Sequence, residues 1–160
     1  MLRPRCRGSK LLHSIIVLCF LSVGPIYAQD ADAPAEPFTA DPSSLVGATL
    51  DAIVSRFGAP RSVRSLRGPE AWQDDVVFVY EGWDLYWFRD RVWQVGIDHA
   101  YGLKTGDERD AVLATLGEPL HRREEALIYQ LPSRAWPLRL RVGLDENYRI
   151  ATMYVYRADF

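Results

Sequence analysis

The sequence predicts an α+β fold built from two tandem repeats, each a capped helix followed by an antiparallel β-meander packed against it. Three observations predict it. A fourteen-residue frame at 47–60 returns at 106–119 with a constant offset (106 − 47 = 119 − 60 = 59), and Asp51/Asp110, Ala52/Ala111, Ile53/Val112, Val54/Leu113, Phe57/Leu116 and Gly58/Gly117 fall in register without a gap. Self-similarity at a fixed period marks a repeated structural unit. After each frame the apolar period shortens from that of a helix to that of a strand. The turns between the resulting strands are too short for parallel crossovers.

The 160-residue chain is 48% hydrophobic and 25% charged, a globular composition long enough for one domain or two small ones. Residues 1–28 read as a secretory signal. Arg3, Arg5, Arg7 and Lys10 make a basic start without an acid, residues 11–23 are a short apolar run, and Pro25, Ile26, Tyr27 and Ala28 precede polar Gln29 and Asp30. Cleavage is expected after Ala28. The alternative is a retained anchor, against which Gly24 and Pro25 interrupt a run already short of the ~20 apolar residues a span needs. Both cysteines, Cys6 and Cys19, fall in this segment, so a chain starting at Gln29 holds no disulfide. Lipidation at Cys19 is a third option, opposed by bulky Leu18 where a small residue is wanted. The signal takes four basic residues and no acid; 19 − 4 = 15 basic against 21 acidic residues leaves the mature chain at −6. That charge argues against general binding to nucleic-acid phosphates. Residues 29–43, rich in Asp, Ala and Pro with Phe38 the only large apolar side chain, read as a flexible leader.

The first unit, residues 44–98, opens on a helix. Leu50, Ile53, Val54 and Phe57 place four apolar side chains on one stripe. Thr49 is the predicted N-cap, Asp51 sits where the helix dipole favours a carboxylate, Gly58 suits the positive φ of a helix stop, and Pro60 prevents continuation. Residues 61–75 read as a polar connection, with Asp74-Asp75 a solvated turn. Residues 76–80, 84–88 and 91–98 are β-branched and aromatic runs separated by Glu81-Gly82 and Arg89-Asp90, an antiparallel meander. The second unit, residues 99–160, repeats the order. Thr105 and Glu108 have capping-box spacing, Val112, Leu113 and Leu116 form the stripe, and Gly117 with Pro119 ends the helix. Strands are predicted at 126–130, 138–144 and 149–156, with Asp145-Glu146-Asn147 as the last turn. Each helix is expected to cover one face of its own sheet, and the two units, marginal alone, to share a core or interface.

The pattern G-x-[T/E]-x-D-A-[I/V]-[V/L]-x-x-[F/L]-G-x-P, present twice with Tyr80 or Tyr129 early in the strands that follow, resembles the bacterial outer-membrane lipoprotein repeat of SmpA/OmlA type. The resemblance covers residues 44–160. It implies the fold shared with the tandem-repeat β-lactamase inhibitor proteins, and an exported, non-catalytic module that binds another protein. The chain departs from both groups. Single-repeat assembly factors are lipoproteins, whereas this chain lacks a good lipidation cysteine; the tandem inhibitors carry disulfides, whereas the mature chain has no cysteine. What carries over is the skeleton of Gly, apolar and Gly-x-Pro positions.

Function is sought in the strands. All five tryptophans lie between Trp72 and Trp136, and Trp83, Tyr86, Trp87, Phe88 and Trp93 fall within eleven residues. Alternation places Leu85 and Trp87 on one side and Tyr86 and Phe88 on the other. Either both faces are buried, or part of one is an aromatic protein-binding surface with Trp83, Tyr86 and Trp87 as candidates. In the second unit Leu138, Leu140 and Val142 share one side opposite Arg139 and Arg141, and Met153 and Val155 oppose Tyr154 and Tyr156. With the apolar sets in the core, Arg139, Arg141, Tyr154 and Tyr156 share the outward face. That face suits an acidic or aromatic partner segment, or else it is solvated, with arginines lying over tyrosine rings.

No catalytic, cofactor or metal site is predicted. His99 and His121 fit no HExxH-like spacing, and no cysteine nucleophile, G-x-S-x-G, P-loop or dinucleotide fingerprint is present in the mature chain. Asp107, Glu108 and Asp110 stand at a helix start, where the dipole accounts for them. The expectation is an exported, non-catalytic cell-envelope protein, periplasmic or secreted, that binds a protein or peptide partner through its sheet surfaces in outer-envelope assembly or maintenance. It needs no cofactor, nucleic acid or membrane span after cleavage. The competing reading is a secreted or periplasmic enzyme inhibitor, with a hydrolase third.

Overall fold

A computed structural model of the protein describes residues 41–68 and 75–159. The predicted signal, most of the leader, both cysteines, Trp72 and Asp74 lie outside the described residues. A 3₁₀ helix, Pro42–Leu45, leads into α1, Leu50–Phe57, and then into strands β1 Ser62–Leu66, β2 Asp75–Val79, β3 Trp83–Phe88 and β4 Arg91–Ile97. A small hairpin, β5 His99–Ala100 and β6 Leu103–Lys104, precedes α2, Arg109–Leu116. Strands β7 His121–Arg123, β8 Ala126–Leu131, β9 Leu138–Leu144 and β10 Ile150–Arg157 follow.

Apart from the β5–β6 hairpin, the strands form one antiparallel sheet of eight, in the order β1-β2-β3-β4-β10-β9-β8-β7. Its two halves meet where β4 pairs with β10, Met153 opposite Ile97 and Tyr156 opposite Gln94. This overturns the expected pair of tandem α+β repeats, and with it the tandem arrangement that the resemblance implied. The described chain is mostly antiparallel sheet with two eight-residue helices, not two helix-plus-meander units. The physical reason lies in the last strand of each half. Left as edges, β4 and β10 would expose rows of unpaired N–H and C=O groups along apolar strands; pairing them satisfies those groups. It also sets Val95, Val155 and Leu140 side by side in a single core.

The helices do not each roof a sheet of their own. The segment that packs across the central strands β4 and β10 is the 3₁₀ helix, which buries Pro42 and Leu45. Residues 42 and 43, read as leader, therefore belong to the fold. Of the α1 stripe only Ile53 and Phe57 are buried, while Leu50 and Val54 stay 48% and 40% exposed. In α2 Val112 is the one buried side chain, with Leu113 and Leu116 partly covered.

The helix boundaries follow local chemistry. Thr49 Oγ1 accepts from the Ala52 amide at 3.3 Å, and the helix stops at Gly58 with φ 73°. At α2 the expected capping box does not form. Glu108 is the N-cap residue and makes no side-chain cap; its carboxylate instead takes a hydrogen bond from Arg149 at 2.7 Å, and the Thr105 hydroxyl donates to the Asp98 carbonyl. Tyr80 and Tyr129 donate their hydroxyls to the carbonyls of Gly58 and Gly117, tying each helix end to the sheet.

Six strands fall where the apolar runs predict them. The edge strands β1 and β7 do not announce themselves, because every residue in each is exposed and there is no apolar alternation to read. The stretch at 61–75, read as a polar connection, thus holds an edge strand.

Candidate binding face

Alternation and cross-strand register divide the sheet into two unlike faces. One carries Trp83, Leu85, Trp87, Val95, Ile97, Leu140, Val142, Met153 and Val155, and packs with Ile53 and Phe57 of α1, Val112 of α2 and Leu45 into the core. The other carries two rows of side chains running across the strands. Tyr86 lies opposite Gln94, Gln94 opposite Tyr156, and Tyr156 opposite Arg139. In the adjacent row Asp84 lies opposite Gly96, Gly96 opposite Tyr154, and Tyr154 opposite Arg141.

The seven residues singled out from the sequence are split by this division. Trp83 and Trp87 are core residues, 5% and 6% exposed. The Trp83 indole stacks on Tyr80 at 4.1 Å and meets Phe57 edge-on at 5.0 Å, while Trp87 lies 5.1 Å from Phe78. Neither shares a face with Tyr86. Tyr86, Arg139, Arg141, Tyr154 and Tyr156 do lie together on the second face, with Tyr86 buried and the other four half-buried. The Tyr86 and Tyr154 rings meet edge-to-face, with centroids 5.9 Å apart.

Two neighbours escape sequence reasoning. The register of β3 against β4 shifts between Tyr86↔Gln94 and Trp87↔Val92, leaving Trp93 as the extra residue of a bulge. Val92 and Val95 can then both reach the core at 0% exposure, while Trp93 donates its indole N–H to Asp75 at 3.2 Å. Nothing in the local pattern signals a bulge. The second is Gly96, where an added Cβ would stand 3.3 Å from Tyr154 Cε1 and 3.5 Å from Asp84 Cβ. The missing side chain is what allows the Tyr154 ring to lie close over the sheet.

Two shallow recesses flank Tyr154. One of about 500 Å³ is lined by Trp93, Gln94, Arg139, Arg141, Tyr154 and Tyr156 among others. The other, about 330 Å³, lies at the strand ends and is bordered by Arg64, Asp84, Tyr86, Gly96 and Tyr154 among others. Their electrostatics differ. Arg64 is paired with Asp84 at 2.8 Å, and that hydrogen bond is the main reason its guanidinium is held above its ordinary pKa. Among the described residues no carboxylate pairs with Arg139 or Arg141, and Arg139 Nε is buried without a hydrogen-bond partner. No group of three or more His, Cys, Asp or Glu able to hold a metal ion occurs among the described residues. The arrangement can present guanidinium forks and aromatic rings to something laid across it.

Burial foremost, and then the neighbouring Tyr154 phenol, raises the Tyr86 pKa above its ordinary 10.0. Tyr101 is raised in the same sense, by burial first and then by its hydrogen bond to Asp41. Above pH 10 the unfolded chain loses these protons while the folded chain keeps them, so their contribution is complete below pH 10 and falls as pH rises through the folded values. Urea denaturation from about pH 9 to about pH 11 should show stability declining at the upper end. Tyr86→Phe should flatten the decline, and an unchanged slope would assign the alkaline loss to other groups.

No helix among the described residues is long and apolar enough to cross a membrane. No protein-family model matches the chain, and no curated protein matches it. Among solved structures, the chain is similar to an extracellular protein containing a SCP domain from Bacillus anthracis, with a TM-score of 0.51 at 10% identity over 78% of this chain and 48% of that one. It thus spans about half the length of that protein. A DUF4309 family protein from Bacillus subtilis aligns over 78% of this chain and 88% of its own, with a TM-score of 0.48 at 11% identity. At such identities the first likeness is one of fold alone.

Proposed function

We propose that this is an exported, non-catalytic envelope protein that binds a protein or peptide partner through the open face of its sheet. The observation that carries the reading is the cluster of half-buried Arg139, Arg141, Tyr154 and Tyr156 on a face that no described helix covers. Arg and Tyr are the residues that anchor protein interfaces, because each offers a large contact area together with directional donors. The exported address rests on the basic, apolar and small-residue order of residues 1–28, and the fold neighbour described as extracellular is in keeping with it. A role in outer-envelope assembly or maintenance rests on the SmpA/OmlA resemblance alone.

The test is a photo-activated cross-linking residue placed at Tyr156, with a second variant carrying it at Arg56 on the exposed side of α1. After irradiation in the native envelope, Tyr156 should yield a discrete protein adduct and Arg56 none. No adduct from Tyr156, or the same adducts from both positions, would remove the open face from the binding surface.

A further inference from the structure

Resting on that reading, we propose that the open face takes an extended acidic segment of the partner, with carboxylates on alternate residues, one received by Arg139 and the next by Arg141. The two arginines are two residues apart on β9, so they project from the same face about 6.8 Å apart, at ~3.4 Å per residue. An extended peptide lying along the strand repeats its side chains at the same interval. Each arginine is flanked by a cross-strand tyrosine, Arg139 by Tyr156 and Arg141 by Tyr154. The result is a two-by-two array whose period along the strands matches that of an acid-x-acid segment.

Charge complementarity singles out this pair. Arg61, Arg64, Arg122, Arg149 and Arg157 each have a carboxylate partner within the fold. Arg139 and Arg141 have none among the described residues, and they are half-buried, whereas the other described arginines without one, Arg56, Arg67, Arg89, Arg123 and Arg134, are exposed; the protein is acidic as a whole. A guanidinium partly withdrawn from water gains from an incoming carboxylate, which can accept two parallel N–H bonds from its terminal nitrogens. Arg64, already engaged by Asp84, marks the other end of the face as neutral. The acids therefore belong over β9, with an apolar or aromatic residue beyond them over the tyrosines and Trp93.

Two labelled synthetic peptides of one composition test this, Gly-Ser-Glu-Ser-Glu-Gly-Phe and Gly-Ser-Glu-Glu-Ser-Gly-Phe, in the first of which both acids and the aromatic ring fall on one side of the extended chain, titrated by fluorescence anisotropy with protein purified after expression of the full chain. The alternating peptide should bind about tenfold more tightly than its isomer, and its affinity should fall as salt is raised. Arg139→Gln and Arg141→Gln should each weaken it about tenfold. Arg141→Lys, which keeps the charge and loses the fork, should fall between. Both arginines project from an open face, and an unchanged near-ultraviolet circular dichroism spectrum checks that the fold is retained. Equal binding of the two peptides, absence of binding by either, or indifference to both glutamine variants overturns the proposal. Should the Tyr156 adduct persist in the double variant, acid recognition is overturned while the face remains the binding surface. Absence of that adduct from the parent protein overturns the face as well.

Discussion

Replacing Trp83 by alanine should cost the protein about 3–5 kcal/mol, out of a total stability of about 5–15 kcal/mol. The indole is 5% exposed and joins three parts of the core. It stacks on Tyr80, meets Phe57 of α1 edge-on, and lies opposite Ile97 of β4. Its removal leaves a cavity that the surrounding strands can close only in part, so the loss exceeds the transfer free energy of the indole itself. Tyr80 would also lose its stacking partner while its hydroxyl still holds the Gly58 carbonyl, loosening the end of α1. Urea denaturation read by circular dichroism measures the change. Under native conditions the substitution should leave binding through the open face intact, since Trp83 faces away from it; a variant that stays folded yet loses the partner would return Trp83 to the binding surface.

A charge placed at the centre of the sheet should have a still larger effect. Val155 on β10 lies between Val95 of β4 and Leu140 of β9, with 0% exposure. Val155→Asp buries an unpaired carboxylate whose desolvation costs several kcal/mol, roughly the whole stability of a domain this size. The expected outcome is loss of both halves together, with tryptophan fluorescence and far-ultraviolet circular dichroism changing in one transition. Val155→Thr, similar in shape but with a buried hydroxyl, should lose about 1–3 kcal/mol and remain folded. If Val155→Asp left native tryptophan emission while half the strand signal vanished, the β4–β10 pairing would not be what holds the sheet as one.

These two positions also mark the limit of what local pattern can say. The strands containing Trp83 and Val155 are both legible, because β-branched and aromatic alternation is a property of five to eight neighbouring residues. The side chains that share a side of one strand are equally legible. Arg139 with Arg141, and Tyr154 with Tyr156, follow from a period of two. In β9 and β10 the apolar set is aliphatic and the opposite set polar, so the inward side is plain. In β3 both sets are aromatic, and pattern alone cannot choose between Trp83 with Trp87 and Tyr86 with Phe88. The choice comes from α1 and the 3₁₀ helix, which cover the side carrying Trp83 and leave Tyr86 to Tyr154.

The sequence by itself determined where the two helices stop, at Gly58 and Gly117, where most of the strands run, and which Arg and Tyr side chains share a side. Each depends on backbone preference and side-chain period within a few residues. Tertiary structure alone decided that β4 and β10 join the halves into one eight-stranded sheet, that a bulge turns Trp93 onto the open face, and that β1 and β7 are its edges. The physical reason is the range of the interactions. A strand carries its own alternation, but its hydrogen-bonding partner is set by which other edge remains unsatisfied, here some sixty residues away along the chain.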